Sequence, residues 1–252
     1  MIIESPQNLI FKYVLNLKEK KYRDKDSLFL VEGKKQVGEI SKNWNIKQIL
    51  ISEKYKNDIP VFFKNVITFS EHLFSKLTTT QSTQGILMVV EKKRYDIIET
   101  IKNSGLFIIL ENIQDPGNLG TIIRSADTFA VKAIFVSKGS ADIYSDKTIR
   151  ATMGSIFHLP VIDNIDIEST LNLMKKERIT VFATSLKSKK YLNNIKIPNK
   201  SVFIIGNEAN GIKNKTENLA DDLVKIYMPG NSESLNAAIA ASIIMYEASK
   251  TK

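Results

Sequence analysis

The chain has 252 residues, 43% of them hydrophobic, and its 36 Lys and Arg against 27 Asp and Glu leave a formal net charge of +9. This length can bury a sizeable core in one or two domains. The absence of cysteine excludes disulfides, thiolate nucleophiles and sulfur-ligated metals, and His72 and His158 are too far apart in the sequence to indicate a zinc site or a serine–histidine relay.

The positive charge has two interpretations. It suits a partner with a negatively charged backbone, and it equally suits a lysine-rich surface that keeps a protein in solution. The stretch KEKKYRDK, residues 18–25, places Lys20, Lys21 and Arg23 around Tyr22, a mixture that can bind phosphates and stack on a base. These three cations are candidate RNA contacts, and a solvated helix end would have the same composition.

The first ninety or so residues predict a small α/β unit. A helix is expected from Pro6 to Lys20, with Ser5 as its N-cap. The other predicted elements are the strands LFLVE (28–32), IKQILIS (46–52) and ILMVVE (86–91) and the helices KKQVGEISK (34–42) and SEHLFSKL (70–77). The charged segment 92–105 ends in Gly105, so we expect one domain over residues 1–95 and another over residues 105–252.

The second half predicts a more regular α/β domain. Its buried-type strands are LFIIL (106–110), AIFVS (133–137), TVFAT (180–184), SVFIIG (201–206) and VKIYM (224–228). Continuous apolar runs that alternate with helices favour a mostly parallel sheet covered on both faces. In such sheets ligands bind at the carboxyl ends of the strands. No segment is apolar enough to cross a bilayer and no signal peptide is evident, so we expect a cytoplasmic protein without a membrane partner.

The stretch ENIQDPGNLGTIIRSAD, residues 111–127, follows the first of these strands. Residues 115–118 predict a turn. The helix after it has an apolar stripe made of Leu119, Ile122, Ile123, Ala126 and Ala130. Arg124 lies roughly 150° from the centre of this stripe, free to point over the loop. Its alternative role is an exposed ion pair with Asp127 or Glu111.

Two later loops also follow strands. In IIGNEANGI, residues 204–212, Gly206 and Gly211 indicate close backbone approach to a ligand and Glu208 adds a carboxylate. A plain turn explains this loop as well, since it lacks the Lys and Ser or Thr spacing of a Walker loop. In MPGNSESLNAA, residues 228–238, Ser232 or Ser234 can cap an apolar helix that begins near Leu235.

In this order and spacing, the three loops resemble the motifs of the SpoU (TrmH-type) branch of the SPOUT RNA methyltransferases. The matching residues are Asn118 and Arg124 in the first motif, Gly206, Asn207, Glu208 and Gly211 in the second, and Ser234, Leu235 and Asn236 in the third. Two positions depart from the family pattern. Ala209 stands where Gly is common, and Ile226-Tyr227-Met228 stands where Ile-Pro-Met is common. We expect Ala209 to narrow the freedom of its loop and Tyr227 to alter the wall of the adenine pocket.

The resemblance implies an α/β fold with a deep trefoil knot in the C-terminal domain, and an N-terminal domain, residues 1–95, that binds the RNA substrate. It implies a homodimer that transfers the methyl group of S-adenosylmethionine to a ribose 2′-hydroxyl, without a metal. The catalytic residues it indicates are Arg124, Asn118, Glu208, Ser234 and Asn236. The cofactor-binding residues it indicates are Thr184, Gly206, Ile226, Met228 and Leu235.

The separate N-terminal domain favours ribosomal RNA over tRNA as the substrate. Three alternatives stay open at this point. The chain could be a tRNA 2′-O-methyltransferase, a non-catalytic RNA-binding protein of the same fold, or an enzyme that binds nucleotide phosphates.

Overall fold

The computed structural model describes residues 2–55, 65–80, 83–207 and 209–250, and the chain divides into two compact units. The first contains Met1–Lys93 and Tyr144–Phe157, and the second contains Arg94–Ile143 and His158–Lys252. The chain therefore passes between the units three times. The domains expected from the sequence, 1–95 and 105–252, assign residues 144–157 to the second domain, whereas the structure groups them with the N-terminal unit.

The strands are β1 (Ile2–Ile3), β2 (Leu28–Glu32), β3 (Ile46–Ser52), β4 (Val66–Phe69), β5 (Ile86–Glu91), β6 (Gly105–Leu110), β7 (Ala133–Ser137), β8 (Val161–Ile165), β9 (Thr180–Thr184), β10 (Lys200–Ile205) and β11 (Asp222–Val224). The α-helices are α1 (Leu9–Asn16), α2 (Lys20–Asp26), α3 (Lys34–Glu39), α4 (Glu71–Leu77), α5 (Ile97–Ile101), α6 (Pro116–Thr128), α7 (Asp146–Thr152), α8 (Ile167–Lys176), α9 (Asn214–Glu217) and α10 (Ala237–Ser249). Short 3₁₀ turns cover Ser155–Phe157 and Leu192–Asn194.

The N-terminal unit is built on a mixed five-stranded sheet in the order β1-β4-β3-β5-β2. β4 pairs in parallel with β1 and β3, and β5 is antiparallel to β3 and β2. The predicted strands at 28–32, 46–52 and 86–91 are confirmed. The two strands that the sequence did not reveal, β1 and β4, have two and four residues, too few for an alternating pattern to stand out.

The predicted helix from Pro6 to Lys20 is wrong at its start and in its length. α1 begins at Leu9, because the Asn8 side chain accepts hydrogen bonds from the N–H groups of Ile10 and Phe11 and so serves as the N-cap. Ser5 instead accepts from Gln7 N–H at 3.2 Å. The helix ends at Asn16, and α2 starts separately at Lys20.

The second unit is built on a six-stranded sheet in the order β11-β9-β10-β6-β7-β8. All its pairings are parallel, which confirms the predicted sheet. The predicted strand at 224–228 is displaced, because β11 covers Asp222–Val224. β8 was missed because its centre, Asp163 and Asn164, is polar. Within the described ranges, no helix combines the length and apolarity needed to cross a membrane.

An aromatic cluster ties the segment Tyr144–Phe157 to the sheet of the N-terminal unit. The ring of Phe29 on β2 lies 4.6 Å from that of Tyr144, and the ring of Trp44 lies edge-on to Phe157 at 5.1 Å. Trp44 Nε1 donates a hydrogen bond to the Phe157 carbonyl oxygen at 3.1 Å. All four rings are buried, so this contact contributes to the core of the unit.

We expect Phe157→Ala to destabilise the N-terminal unit by about 3–5 kcal/mol, the usual cost of truncating a buried Phe. Trp44 is the single tryptophan, and it contacts Phe157, so its fluorescence during urea unfolding measures the loss at this unit. Val66→Ala, at a position 37% exposed, serves as the control and should shift the midpoint far less. An unchanged midpoint for Phe157→Ala would contradict the role of the cluster.

Candidate functional site

Three segments that follow strands of the parallel sheet meet at its carboxyl edge and enclose a cavity of about 330 Å³, which we call the motif cavity. Its walls come from the ends of β9, β10 and β11 and from the start of α10. Its lining includes all five residues expected to bind the cofactor, Thr184, Gly206, Ile226, Met228 and Leu235, together with Ser234. The structure thus brings together residues that are 51 positions apart between Thr184 and Leu235.

The second-motif loop folds back on itself immediately after β10. A Cβ atom on Gly206 would lie 2.2 Å from the carbonyl carbon of Gly211, so a side chain there would collide with backbone. Gly211 has φ of +63°, which favours glycine, and its N–H donates to the Asn207 carbonyl oxygen at 2.8 Å. The loop's own backbone therefore requires both glycines, and both also line the motif cavity. Close approach of a ligand to them stays a prediction.

Asn207 holds the loop through its side chain. Its Oδ1 accepts from the N–H groups of Ala209 and Asn210 at 2.8 and 3.2 Å, and its Nδ2 donates to the Asn112 carbonyl oxygen at 3.1 Å. Ala209 lines the motif cavity. Glu208, expected to be catalytic, lies outside the described residues.

Glu111 is a residue whose importance the sequence did not indicate. It is 3% exposed at the end of β6, and its carboxylate accepts from Lys213 N–H at 3.2 Å and from Thr216 Oγ1 at 3.0 Å. A buried carboxylate is tolerated where such donors satisfy it. Glu111 therefore joins the segment that leaves the second motif to the strand that precedes the first.

The first motif is helical from its start. Asp115 caps α6 by accepting from Asn118 N–H at 2.8 Å, and Pro116 occupies the first helical position, where its missing N–H costs nothing. The predicted turn at 115–118 is thus the first turn of a helix. Four residues of the predicted stripe are buried, whereas Ala130 is wrongly included, because it follows the helix, is exposed and has φ of +53°.

Asn236 links the third motif to the first. Its Oδ1 accepts from the N–H groups of Ala238 and Ile239 at 2.9 and 3.3 Å, and its Nδ2 donates to Asn118 Oδ1 at 3.0 Å. Asn236, rather than Ser232 or Ser234, is therefore the N-cap, and α10 begins at Ala237 rather than near Leu235. The Ser234 carbonyl oxygen accepts from the Ser232 hydroxyl at 2.9 Å.

Arg124 takes no part in the contact between Asn118 and Asn236. Its side chain is exposed, six residues after Asn118 on α6, about 9 Å further along the helix axis. The ion pairs considered for it do not form, because Asp127 binds His158 Nδ1 at 2.7 Å and Glu111 is occupied as described. Across the described part of the chain, its guanidinium makes no hydrogen bond or ion pair, and it does not line the motif cavity.

Tyr227 has an exposed side chain beside the motif cavity. Its neighbours Ile226 and Met228 are part of the lining, but Tyr227 is not among the described lining residues and its side chain is 61% exposed. The expectation that this residue alters the adenine pocket wall stays a prediction.

The candidate RNA contacts of the N-terminal unit differ among themselves. Arg23 is 4% exposed and donates to the carbonyl oxygens of Leu17 and Lys18, so it ties α1 to α2 and is withdrawn as an RNA contact. Lys20 pairs with Asp24, and Lys21 pairs with Glu19 at 3.0 Å. Both lysines are exposed. Among the residues that the structure describes, no group of His, Asp and Glu is arranged to hold a metal ion.

Comparison with known families and proteins gives consistent matches along the chain. The family described as SpoU rRNA methylase matches residues 105–246, and the family described as MRM3-like substrate-binding domain matches residues 8–88. A Bacillus subtilis (strain 168) protein named 23S rRNA (guanosine(2553)-2′-O)-methyltransferase RlmP is 34% identical over 250 residues, which cover 97% of each chain.

Two solved structures resemble the chain over nearly its whole length. An AdoMet-bound rRNA methyltransferase from Sinorhizobium meliloti superposes with a TM-score of 0.89 at 27% identity, covering 99% of this chain and 97% of that one. The SpoU methyltransferase AviRb from Streptomyces viridochromogenes, in complex with AdoMet, superposes with a TM-score of 0.89 at 25% identity, covering 97% and 98%.

The two functions of the Asn236 side chain can be separated by substitution. Asn236→Ala should lower the free energy of unfolding by about 0.5–2 kcal/mol, because it removes the N-cap. Asn236→Asp keeps the oxygen acceptor and should retain most of that stability, although it loses the N–H donor to Asn118. Thermal unfolding followed by circular dichroism measures both. Ser234→Ala is the control, and equal destabilisation by Ser234→Ala would refute the assignment of the cap.

Proposed function

The chain belongs to the SpoU rRNA methylase family, and we propose that it transfers the methyl group of S-adenosylmethionine to a ribose 2′-hydroxyl of ribosomal RNA. The observation that carries the proposal is the motif cavity, in which residues from three separated segments meet beside the Asn118–Asn236 hydrogen bond. The relatives named as 23S rRNA methyltransferases favour ribosomal RNA over tRNA, and the missing Walker spacing disfavours an enzyme that binds nucleotide phosphates.

The motif cavity fits the proposed cofactor in size and chemistry. Its volume of about 330 Å³ lies at the lower end of the range of small-molecule sites, roughly 300–1,000 Å³. Ile226, Met228 and Leu235 offer apolar walls for a flat base, and Thr184 and Gly206 lie at strand ends beside them. When bound, S-adenosylmethionine supplies an electrophilic methyl group on a sulfonium, which makes a metal unnecessary.

Arg124 is proposed to stabilise the negative charge that develops on the ribose oxygen. A guanidinium keeps its proton and donates several hydrogen bonds, so it acts by electrostatic stabilisation and positioning. The proton leaves to a phosphate or to water. Asn118 and Asn236 hold the start of α10 against α6, and Ser234 lies at the rim where the ribose would enter.

A second copy of the chain is proposed to complete the site. Arg124 lies on α6 outside the motif cavity, and α10, which packs on α6, exposes Ile239 (53%) and Tyr246 (49%). Apolar side chains on such a face favour a protein partner, and most soluble oligomers are symmetric homodimers. A dimer through α6 and α10 would bring Arg124 of one copy toward the cavity of its partner. The trefoil knot is proposed on the family resemblance.

The substrate is proposed to be a guanosine of 23S rRNA, since relatives with 34%, 30% and 29% identity are named 23S rRNA guanosine 2′-O-methyltransferases. The N-terminal domain, which matches a substrate-binding family, would hold the RNA with Lys20 and Lys21 among its contacts. A cytoplasmic location is proposed together with this substrate.

Arg124→Ala should lower kcat for methyl transfer by about 10²–10³, the usual cost of removing one group that stabilises a developing oxyanion. The dissociation constant of S-adenosylmethionine, measured by calorimetry, should stay unchanged because Arg124 does not line the motif cavity. Arg94→Ala, which removes another exposed arginine of the same unit, is the control. Full turnover by Arg124→Ala would refute the role.

The same variant tests the dimer. Equal amounts of Arg124→Ala and Leu235→Asp chains, mixed and allowed to exchange, should regain about a quarter of wild-type turnover, because half the dimers are mixed and each has one complete site. No recovery would mean that Arg124 acts within its own chain.

The RNA target can be identified by mass mapping of ribose methylation in RNA from cells with and without the gene. We expect one guanosine of 23S rRNA to lose its 2′-O-methyl group in the deleted strain, with the guanosine named for the B. subtilis relative as the first candidate. Loss of a methyl group from tRNA instead would contradict the proposed substrate, and an unchanged RNA would favour a non-catalytic protein.

A further inference from the structure

We propose that Tyr227, with Tyr191 and Lys225, forms a stacking platform for an unpaired nucleobase of the substrate RNA at the rim of the motif cavity. The inference rests on the proposed function and adds to it a specific contact surface on the catalytic domain. We call this surface the tyrosine platform.

Backbone hydrogen bonds fix Tyr191 and Lys225 of the tyrosine platform at the edge of the sheet. β11 is the edge strand, and beyond its end Tyr191 and Lys225 pair as a parallel bridge. Lys225 N–H donates to the Lys190 carbonyl oxygen at 3.0 Å, and Leu192 N–H donates to the Lys225 carbonyl oxygen at 2.8 Å. Leu192 is buried and lines the motif cavity. The backbone at Tyr191 and Lys225 is therefore held in place before RNA binds, which lowers the entropic cost of ordering this part of the platform.

The Tyr191 and Tyr227 rings pack against each other, and the Tyr227 ring stays exposed to solvent. Tyr191 and Tyr227 meet edge-on, with centroids 5.4 Å apart at 84°, and the Lys225 ammonium lies 5.0 Å from the centre of the Tyr191 ring. Tyr227 is 61% exposed although both of its chain neighbours line the cavity. An exposed aromatic ring held in place offers a face on which a base can stack.

The surroundings of the platform carry the charge that an RNA backbone requires. Residues 185–200 contain five lysines and no acidic residue. Three of them, Lys189, Lys190 and Lys196, line a separate groove of about 560 Å³ together with Tyr191. Lys190 is paired with Asp222, which also lines the groove, and Lys187 and Lys200 are paired with Glu217 and Glu177. Lys189 and Lys196 are thus the groove lysines that form no ion pair with the residues the structure describes. Aromatic rings interleaved with cations are typical of single-stranded nucleic-acid surfaces, whereas the centre of a protein interface is depleted of lysine.

The position of the platform next to the motif cavity suits it to hold an unstacked base during methyl transfer. A ribose 2′-hydroxyl can reach a donor in the motif cavity only if its nucleotide is turned out of a helix or lies in a loop, and unstacked bases need a replacement partner. Tyr227 lies one residue from each of two cavity-lining residues. We infer that it stacks on the target base or on its immediate neighbour.

The test measures binding and turnover separately. A short fluorescein-labelled oligouridine is titrated with full-length wild type, Tyr227→Ala and Tyr227→Phe, and S-adenosylmethionine binding is measured by calorimetry on the same proteins. We expect Tyr227→Ala to weaken oligouridine binding by about 5- to 150-fold, the range for loss of one base–aromatic stack. Tyr227→Phe should bind as wild type, and the affinity for S-adenosylmethionine should be the same in all three.

Lys225→Gln should reduce the slope of log affinity against log salt by about 0.7, the contribution of one phosphate contact to a single strand. Lys176→Gln is the matched control, because Lys176 ends α8 at the opposite, amino edge of the sheet and is exposed. The platform is refuted if Tyr227→Ala binds oligouridine as wild type, if it loses S-adenosylmethionine as well, or if light scattering shows that it changes the mass of the assembly, which would make Tyr227 a contact between copies.

The two proposals can fail separately. Wild type that binds oligouridine through Tyr227 but transfers no methyl group to 23S rRNA would overturn the proposed function and leave the platform standing. Wild-type turnover and RNA affinity in Tyr227→Ala would overturn the platform and leave the enzyme standing.

Discussion

The candidate site depends on one side-chain amide, that of Asn236. Its oxygen satisfies two N–H groups at the start of α10 and its nitrogen donates to Asn118 on α6. A helix start leaves N–H groups without partners in the helix, so Asn236, although exposed, stabilises the first turn of α10. Since Ser234, Leu235 and Ala237 line the motif cavity, this hydrogen-bonded amide also sets the shape of one cavity wall.

The opposite wall depends on a buried carboxylate and a backbone contact. Glu111 joins β6 to Lys213 and Thr216, and Gly206 lets the loop after β10 return against Gly211. Removing the Thr216 hydroxyl would leave the buried Glu111 carboxylate with one donor fewer, which is costly. The cavity is therefore a product of polar contacts among loops at the carboxyl edge of the sheet, while the apolar core beneath it provides rigidity.

The sequence predicts the parts of this structure that are governed by continuous apolar patterns. The strands at 106–110, 133–137, 180–184 and 201–205 are mostly buried, and each has a continuous apolar run. β8 has a polar centre. β11 ends at Val224, and the apolar residues after it, Ile226 and Met228, line the motif cavity instead of extending the strand. The five residues expected at the cofactor were predicted by family motif and lie together. The burial of Arg23 and the structural role of Glu111 were not predictable, because both depend on carbonyl and amide groups that only the folded chain brings near.

The exposure of Arg124 has a physical consequence for how the site would work. In bulk water a guanidinium stabilises an anion at 4 Å by only about 1 kcal/mol, and the effect grows several-fold as water is removed. An arginine that is exposed in the single chain cannot supply the several kcal/mol expected of an oxyanion-stabilising group until something covers it. The proposed partner copy and the docked RNA are the two surfaces that could do so. Methyl transfer would then be coupled to assembly and to substrate binding.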